Sequence, residues 1–319
     1  MPSLKKNGSN TFSIVIPTIN AGAWLAALLS AIDRQTTRAE TVLIVDCSSD
    51  DNTVETAESC GCKVLKINKH DFDHSTTRNL GIADTNSEFL VFLTQDVLFC
   101  NDSAIENIIR PLIKNPQIGV AFGKQVPYPD ASVFAEHLRL FNYPDVSYIR
   151  TLEDKKKYGI KTAFLSNSFA AYRRSVLEEI GYFKKGMIFG EDTYAAAKML
   201  LTGYKIAYVA DAKVFHSHNY TVCQDFRRYF DTGVFHRQEN WLLNEFGKAE
   251  SQGIEYVKSA INFLWKRKRV YLLPELILRI TMKYLGYTLG RKYIYLPKNL
   301  CKKFSMNRNW WDKPQKTSC

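Results

Sequence analysis

No stretch of this 319-residue chain approaches the roughly eighteen consecutive apolar residues of a membrane-spanning helix. Any membrane contact is therefore expected to be peripheral. The opening segment, MPSLKKNGSN, lacks the apolar stretch of a signal peptide and runs directly into a strand signal, which points to a cytoplasmic protein. A disulfide framework is lacking too. The seven cysteines, at 47, 60, 62, 100, 223, 301 and 319, are odd in number and irregular in spacing. Cys60 and Cys62 stand too close for the usual metal-ligand pairing. This is the thiol usage of a reducing compartment. Internal repeats and low-complexity tracts are also absent. Acid is nearly missing from one region. From Lys258 to Lys316 there are fifteen Lys/Arg and two acids, Glu275 and Asp312, for a net +13. The whole chain is +11, so the first 257 residues sum to −2 and resemble an ordinary near-neutral enzyme. Such asymmetry calls for a polyanionic partner, either nucleic acid or an anionic lipid surface.

What is present is a core-forming composition, 45% hydrophobic and 13% aromatic. The first hundred residues alternate strand and helix signals. Strands are expected at Phe12–Pro17, Thr41–Asp46, Lys63–Ile67 and Phe89–Leu93. Helices are expected at Ala23–Gln35, Asp51–Cys60 and Ser75–Ala83. Apolar strands separated by helices imply an α/β fold with a mostly parallel central sheet covered on both faces. The stretch 119–161, with Pro127, Pro129 and Pro144 and a lysine run, reads as a loop or partly helical insertion. Further on, a helix is expected from Ser175 and another over 190–203. Short strands follow at Lys205–Val209 and Lys213–Phe215, and largely helical chain from Phe226. This suggests a catalytic domain over 1–225 and a basic helical region over 226–319.

In such sheets ligands sit beyond the carboxyl ends of the strands. Five groups of residues there could carry chemistry. Asp46, at the end of the second strand, could accept the imide N–H of uracil or thymine, with Ser48 and Asp51 beside it at a helix start. The same residues would equally serve as a helix cap. Asp96, just past the fourth strand in Thr94-Gln95-Asp96, is placed to hold a hard cation for a diphosphate, or to form a turn. His74 and Arg78, four apart, share one helix face that could offer donors to phosphate or sugar. Glu191 and Asp192 open a helix and could supply a general base. His216 and His218 follow a strand. The pair is read as alternating in an extended segment and pointing opposite ways, so at most one of the two is expected to face a given site, where it could join Asp96 on a metal.

The order of these signals resembles family 2 glycosyltransferases of GT-A (Rossmann-like) fold over about residues 12–220. Pro17-Thr18-Ile19-Asn20 follows strand one and an Asp-rich turn follows strand two. A DxD-like motif, a Glu-Asp pair and a His come later, in that order. Within the family the sequence is most similar to bacterial rhamnosyltransferases of O-antigen and polysaccharide assembly. The stretches carrying that likeness are Phe72–Gly81 (FDHSTTRNLG), Thr94-Gln95-Asp96, His216–Thr221 (HSHNYT) and Arg228–Gly233 (RYFDTG), together with Lys283–Tyr287 and the tail to Met306. The resemblance implies that Pro17, Thr18, Asn20, Asp46, Ser48, Asp51, His74, Arg78, Asn79 and Gln95 bind the donor. It implies that Asp96, with His216, binds Mg²⁺ or Mn²⁺, and that Asp192, beside Glu191, is the base. Thr94 stands at the first Asp of the DxD motif, which raises the importance of His216. Cys47 stands where many relatives have Asp and is not taken as a ligand. The implied donor is dTDP-L-rhamnose, with a UDP-sugar as the alternative, and the implied acceptor is a lipid-linked saccharide. One displacement would invert β-L to α-L.

In the tail, a helix from Glu275 carries Glu275, Arg279, Lys283, Gly286 and Gly290 on one stripe and apolar residues elsewhere. It is too short to span a bilayer. With Lys266–Arg269, Arg291-Lys292 and Lys302-Lys303 it suits an interfacial helix on the anionic inner face of the plasma membrane. Packing on the catalytic domain, or in a homodimer, is the alternative use of its apolar positions. A nucleic-acid-binding protein would account for the charge and for Trp310-Trp311, but no recognition motif accompanies them, so nucleic acid is not an expected partner.

Overall fold

The structure, a computed structural model, describes residues 10–247 and 250–313. The reading of segment 1–9 as free of a leader, and the contributions of Lys316 and Cys319, lie outside the described residues.

The chain runs β1 (Phe12–Thr18), α1 (Gly22–Asp33), β2 (Thr41–Asp46), α2 (Thr53–Ser59), β3 (Lys63–Lys66), α3 (His74–Ala83), β4 (Phe89–Leu93), β5 (Leu98–Phe99) and α4 (Ala104–Lys114). It continues through β6 (Ile118–Val126), α5 (Val133–Asn142), β7 (Tyr148–Arg150), α6 (Lys155–Tyr158), β8 (Phe169–Arg173), α7 (Arg174–Glu179), α8 (Glu191–Leu201) and β9 (Lys205–Phe215). Helices α9 (Val222–Gln238), α10 (Asn240–Phe246), α11 (Glu250–Lys266), α12 (Leu273–Arg291) and α13 (Lys298–Phe304) complete it.

Among the described residues one nine-stranded sheet has the order β3-β2-β1-β4-β8-β6-β9-β5, with β7 paired to β9. Strands β1 to β4 are mutually parallel, as the strand–helix alternation requires. The other half is mixed: β8 runs antiparallel to both β4 and β6, while β6 and β9 are parallel. Strand β8 was not among the expected strands, because the stretch 164–172 mixes small, polar and apolar residues, and hydrophobicity carries no strand direction. Alternate residues face opposite sides. Val15, Leu90 and Phe92 enter one core with Phe122 and Tyr172, and Ile14, Ile16, Phe89 and Val91 enter the other.

The stretch beginning at residue 119 is not an insertion at its start. It opens as β6, eight of whose nine residues are buried in mid-sheet. Glycines hid the strand. A Cβ at Gly123 would lie 2.4 Å from the Phe169 ring and 2.5 Å from the Ala212 carbonyl, so close strand packing requires glycine there. Lys205–Phe215 is likewise one strand, with an irregularity opposite Gly123/Lys124 where two strands were expected. The boundary at 225/226 falls inside α9. Phe230, Val234, Cys301, Trp310 and Trp311 join the main core. Trp310 and Trp311 are buried, with the Trp310 indole donating to the Gly186 carbonyl, so they offer no stacking platform to a nucleic acid.

Candidate active site

The loops after β1 and β2 are tied to each other. The Asp46 carboxylate accepts from the Thr18 hydroxyl (3.1 Å) and from the Ser49 amide (3.0 Å) and hydroxyl (2.5 Å). At 1% exposure, Asp46 braces the turn and does not itself present a surface to a nucleotide base. Asp51 accepts from the Gly22 and Thr53 amides, and the Thr53 hydroxyl bond, its largest influence, holds its pKa down. Exposed Asn20 and Ser48 take left-handed backbone (φ 48° and 53°). Asn20 accepts from the Asp50 amide and Ser48 donates to the Ile67 carbonyl. Gln95 forms a two-bond clamp on the Ile19 backbone, at 2.8 and 3.1 Å. Asn79 forms the equivalent clamp on Phe183. Both amides that were expected at the donor are thus engaged in holding loops in place.

A cavity of about 660 Å³ lies beyond these loops. His74, Arg78, Thr94, Asp96, Glu191, Asp192, His216 and His218 all line it, whereas Pro17, Thr18, Asn20, Asp46, Ser48, Asp51, Asn79 and Gln95 do not. Residues of α9 and α12 join it, including Asp225, Arg228, Tyr229 and Lys283.

On one wall, Asp73 caps α3 by accepting from the Ser75 and Thr76 amides, and so sets His74 and Arg78 on the helix. Arg78 does not wait for phosphate. Its Nη1 donates to Glu191 Oε1 at 2.8 Å in a buried ion pair, which Asn167 joins at 3.2 Å. Burial acts to raise the Glu191 carboxyl, but Arg78 and then His74 outweigh it and hold its pKa low. Asp192, next in the chain, behaves oppositely. Burial first, and the Glu191 charge second, push its carboxyl up to about 6. The Glu191 charge thus acts to raise the Asp192 carboxyl while its own is held low. Glu191→Gln removes the raising charge, so the acid limb of the pH–rate profile is expected to move below about 6 in kcat/KM measurements. A limb that stays in place or rises would disprove this coupling.

Also lining the cavity, Asp96 Oδ2 lies 3.4 Å from His216 Nε2 and 3.7 Å from His218 Nε2. The three ligand atoms all lie within 4.8 Å of one another. Burial would raise the Asp96 pKa, but His216 outweighs it, with Thr94 and His218 adding to the effect, so the carboxylate is held well below its usual range. Burial and then His216 bring His218 down to about 4, leaving it neutral and able to ligate. His216 Nδ1 meets Gln125 Oε1 at 3.0 Å, and the Gln125 amide N donates to Ser166. That orientation places the Nδ1 proton toward Gln125 and leaves Nε2 for a metal. The donor set of one carboxylate and two imidazoles fits a divalent first-row ion such as Mn²⁺ better than all-oxygen-seeking Mg²⁺.

The expectation that only one histidine faces the site fails. His216 and His218 are two residues apart, and in extended chain such positions share a face. Gln125 was missed because it lies in the unrecognised strand β6. A polar residue at the end of an otherwise buried strand was the available signal.

Solved structures share this architecture. A mannosyltransferase from Pyrobaculum calidifontis, solved with GDP-Man and Mn²⁺, matches with a TM-score of 0.58 at 16% identity over 95% of this chain and 88% of that one. Residues 1–349 of S. aureus TarS, solved with UDP-GlcNAc, match with a TM-score of 0.53 at 18% identity over 89% and 91%. The fold is the GT-A fold. The model of glycosyl transferase family 2 matches residues 13–181, and that of glycosyl transferase family group 2 matches 102–298. The chain is 42% identical to the O-antigen chain rhamnosyltransferase RfbN of Salmonella typhimurium, over 96% of this chain and 98% of that one. It is 43% identical to the O-antigen chain rhamnosyltransferase WbaN of Salmonella anatum, over 97% and 98%. The chain belongs to glycosyl transferase family 2.

Proposed function

We propose that the protein transfers L-rhamnose from dTDP-L-rhamnose to a lipid-linked saccharide in bacterial cell-surface polysaccharide synthesis, with inversion at the anomeric carbon. The observation that carries the reaction type is one cavity holding Asp192, raised to about 6, together with the Asp96–His216–His218 cluster. Near-full-length likeness to two O-antigen chain rhamnosyltransferases supports the sugar. The loops braced by Asp46 and Asp51 take the nucleotide, with Asn20 and Ser48 at their surface. Asp96, His216 and His218 hold Mn²⁺ or Mg²⁺, and a bound divalent ion would neutralise charge on the leaving diphosphate. Asp192 takes the proton of the acceptor hydroxyl while the acceptor oxygen attacks the anomeric carbon and the bond to dTDP breaks, giving the α-L product from the β-L donor.

Among the described residues no helix is long and apolar enough to cross a membrane, and the site of action we assign is the cytoplasmic face of the plasma membrane. A panel of nucleotide sugars with Mg²⁺ or Mn²⁺ tests the donor. Release of dTDP from dTDP-L-rhamnose, ahead of UDP from UDP-sugars, is expected. Faster turnover of a UDP-sugar would overturn the sugar assignment, and release of pyrophosphate would overturn the reaction class.

A further inference from the structure

Helix α12 is inverted relative to an ordinary surface helix, whose charged face meets water. Its charged stripe points inward. Arg279 donates to Asp225 Oδ2 (2.6 Å), Glu275 Oε1 (2.9 Å) and the Tyr220 carbonyl (2.9 Å), and Lys283 Nζ lies 3.6 Å from Asp225 Oδ1. The backbone follows the stripe inward. A Cβ at Gly290 would lie 2.0 Å from the Phe230 carbonyl oxygen, so α12 and α9 touch main chain to main chain. What remains outside is mostly apolar, with exposed Thr281 as the polar exception. Ile277 is 64% exposed and Tyr284 69%, with Leu278 and Leu285 beside them. At 3.6 residues per turn these four positions fall within an arc of about 120°, opposite the buried stripe.

The corner before α12 repeats the pattern. Trp265 is 70% exposed and Tyr271 64%, and between them Lys266, Arg267, Lys268 and Arg269 are all exposed. Arg267 pairs with Glu136, and Arg269 donates to the Tyr271 hydroxyl. Lys266 and Lys268 have no acidic partner among the described residues. Two aromatics flanking four cations next to an apolar stripe match a headgroup region above an acyl boundary.

We propose that the α11–α12 corner and the outward stripe of α12 dock the protein on an anionic lipid bilayer. A second copy of the chain is the poorer occupant, because it would bring a second four-cation run to the same face. Lys283 lines the catalytic cavity from the same helix that carries the lipid-facing stripe. Docking therefore ties the cavity to the membrane surface, which rests on the reading above only in that the acceptor is lipid-linked.

Flotation of the full chain with vesicles of phosphatidylcholine alone, or with about a quarter phosphatidylglycerol, tests this. Recovery is expected with the anionic vesicles. Trp265→Glu with Tyr271→Glu, and separately Lys266→Glu with Lys268→Glu, should each cut it at least about tenfold. Both variants should keep the wild-type Tm and wild-type nucleotide release from the donor, which separates lost docking from misfolding. Equal recovery on both vesicle types, undiminished recovery of the variants, or a solution dimer that the Trp265/Tyr271 variant dissociates would overturn the proposal. Flotation without any nucleotide-sugar turnover by the wild-type protein would leave docking standing and sink the transferase reading instead.

Discussion

Asp192→Asn is expected to lower kcat by roughly 10²–10⁴-fold while leaving nucleotide-sugar affinity within about twofold. The amide keeps the shape of the side chain, so what is lost is the ability to take a proton. Asp192 is the second residue of α8, where the Thr193 amide donates to its Oδ1 at 2.7 Å, and its pKa is raised to about 6 by burial and then by Glu191. A base with that pKa is mostly deprotonated at neutral pH, yet close enough to it to accept a proton readily. The sign of the pH dependence follows. The group works when deprotonated, so kcat/KM in the wild type should fall about tenfold per pH unit below about 6. The Asn variant should show no such limb. Single-turnover rates and calorimetric titration with the donor check both parts. Near wild-type turnover in the variant would remove Asp192 from the mechanism.

The second large effect is expected at Asp96. Asp96→Asn removes the one carboxylate of the Asp96–His216–His218 cluster, and Mn²⁺ affinity should fall by at least about 10²-fold. His218→Ala should weaken Mn²⁺ binding as well, because both imidazoles face the carboxylate at 3.4 and 3.7 Å. Manganese EPR titrations without nucleotide or acceptor read this independently of turnover. Unchanged affinity in Asp96→Asn would show that the ion sits elsewhere. Unchanged affinity in His218→Ala alone would reduce the site to Asp96 and His216.

Much of this was legible in the sequence because it is local. The strands Phe12–Thr18 and Phe89–Leu93 are short apolar runs whose buried character is written in their residues. The helix over Ser75–Ala83 was readable from its own residues, and Asp73 caps it. Other features were hidden by contacts across the fold. Gly123 reads as loop until Phe169 and Ala212 are seen against it. Arg78 reads as a phosphate donor until Glu191, 113 residues later, is found on its guanidinium. The amides of Asn79 and Gln95 read as ligand contacts until their partners turn out to be the backbones of Phe183 and Ile19.

The sequence by itself determined the parallel first half of the sheet, the Asp-bearing strand ends, the acidic start of α8 and the concentration of positive charge beyond Lys258. These depend on residue type, period and order, which a linear chain displays. Only the tertiary structure set the two carboxylates apart, since Arg78 reaches Glu191 and holds it low while Asp192 is pushed up. Only it brought His218 beside His216 at Asp96, and only it turned the charged stripe of α12 inward and the apolar stripe out. Each of those outcomes depends on a partner distant in sequence, and a charge or a burial acquires its sign of effect from the neighbour it meets.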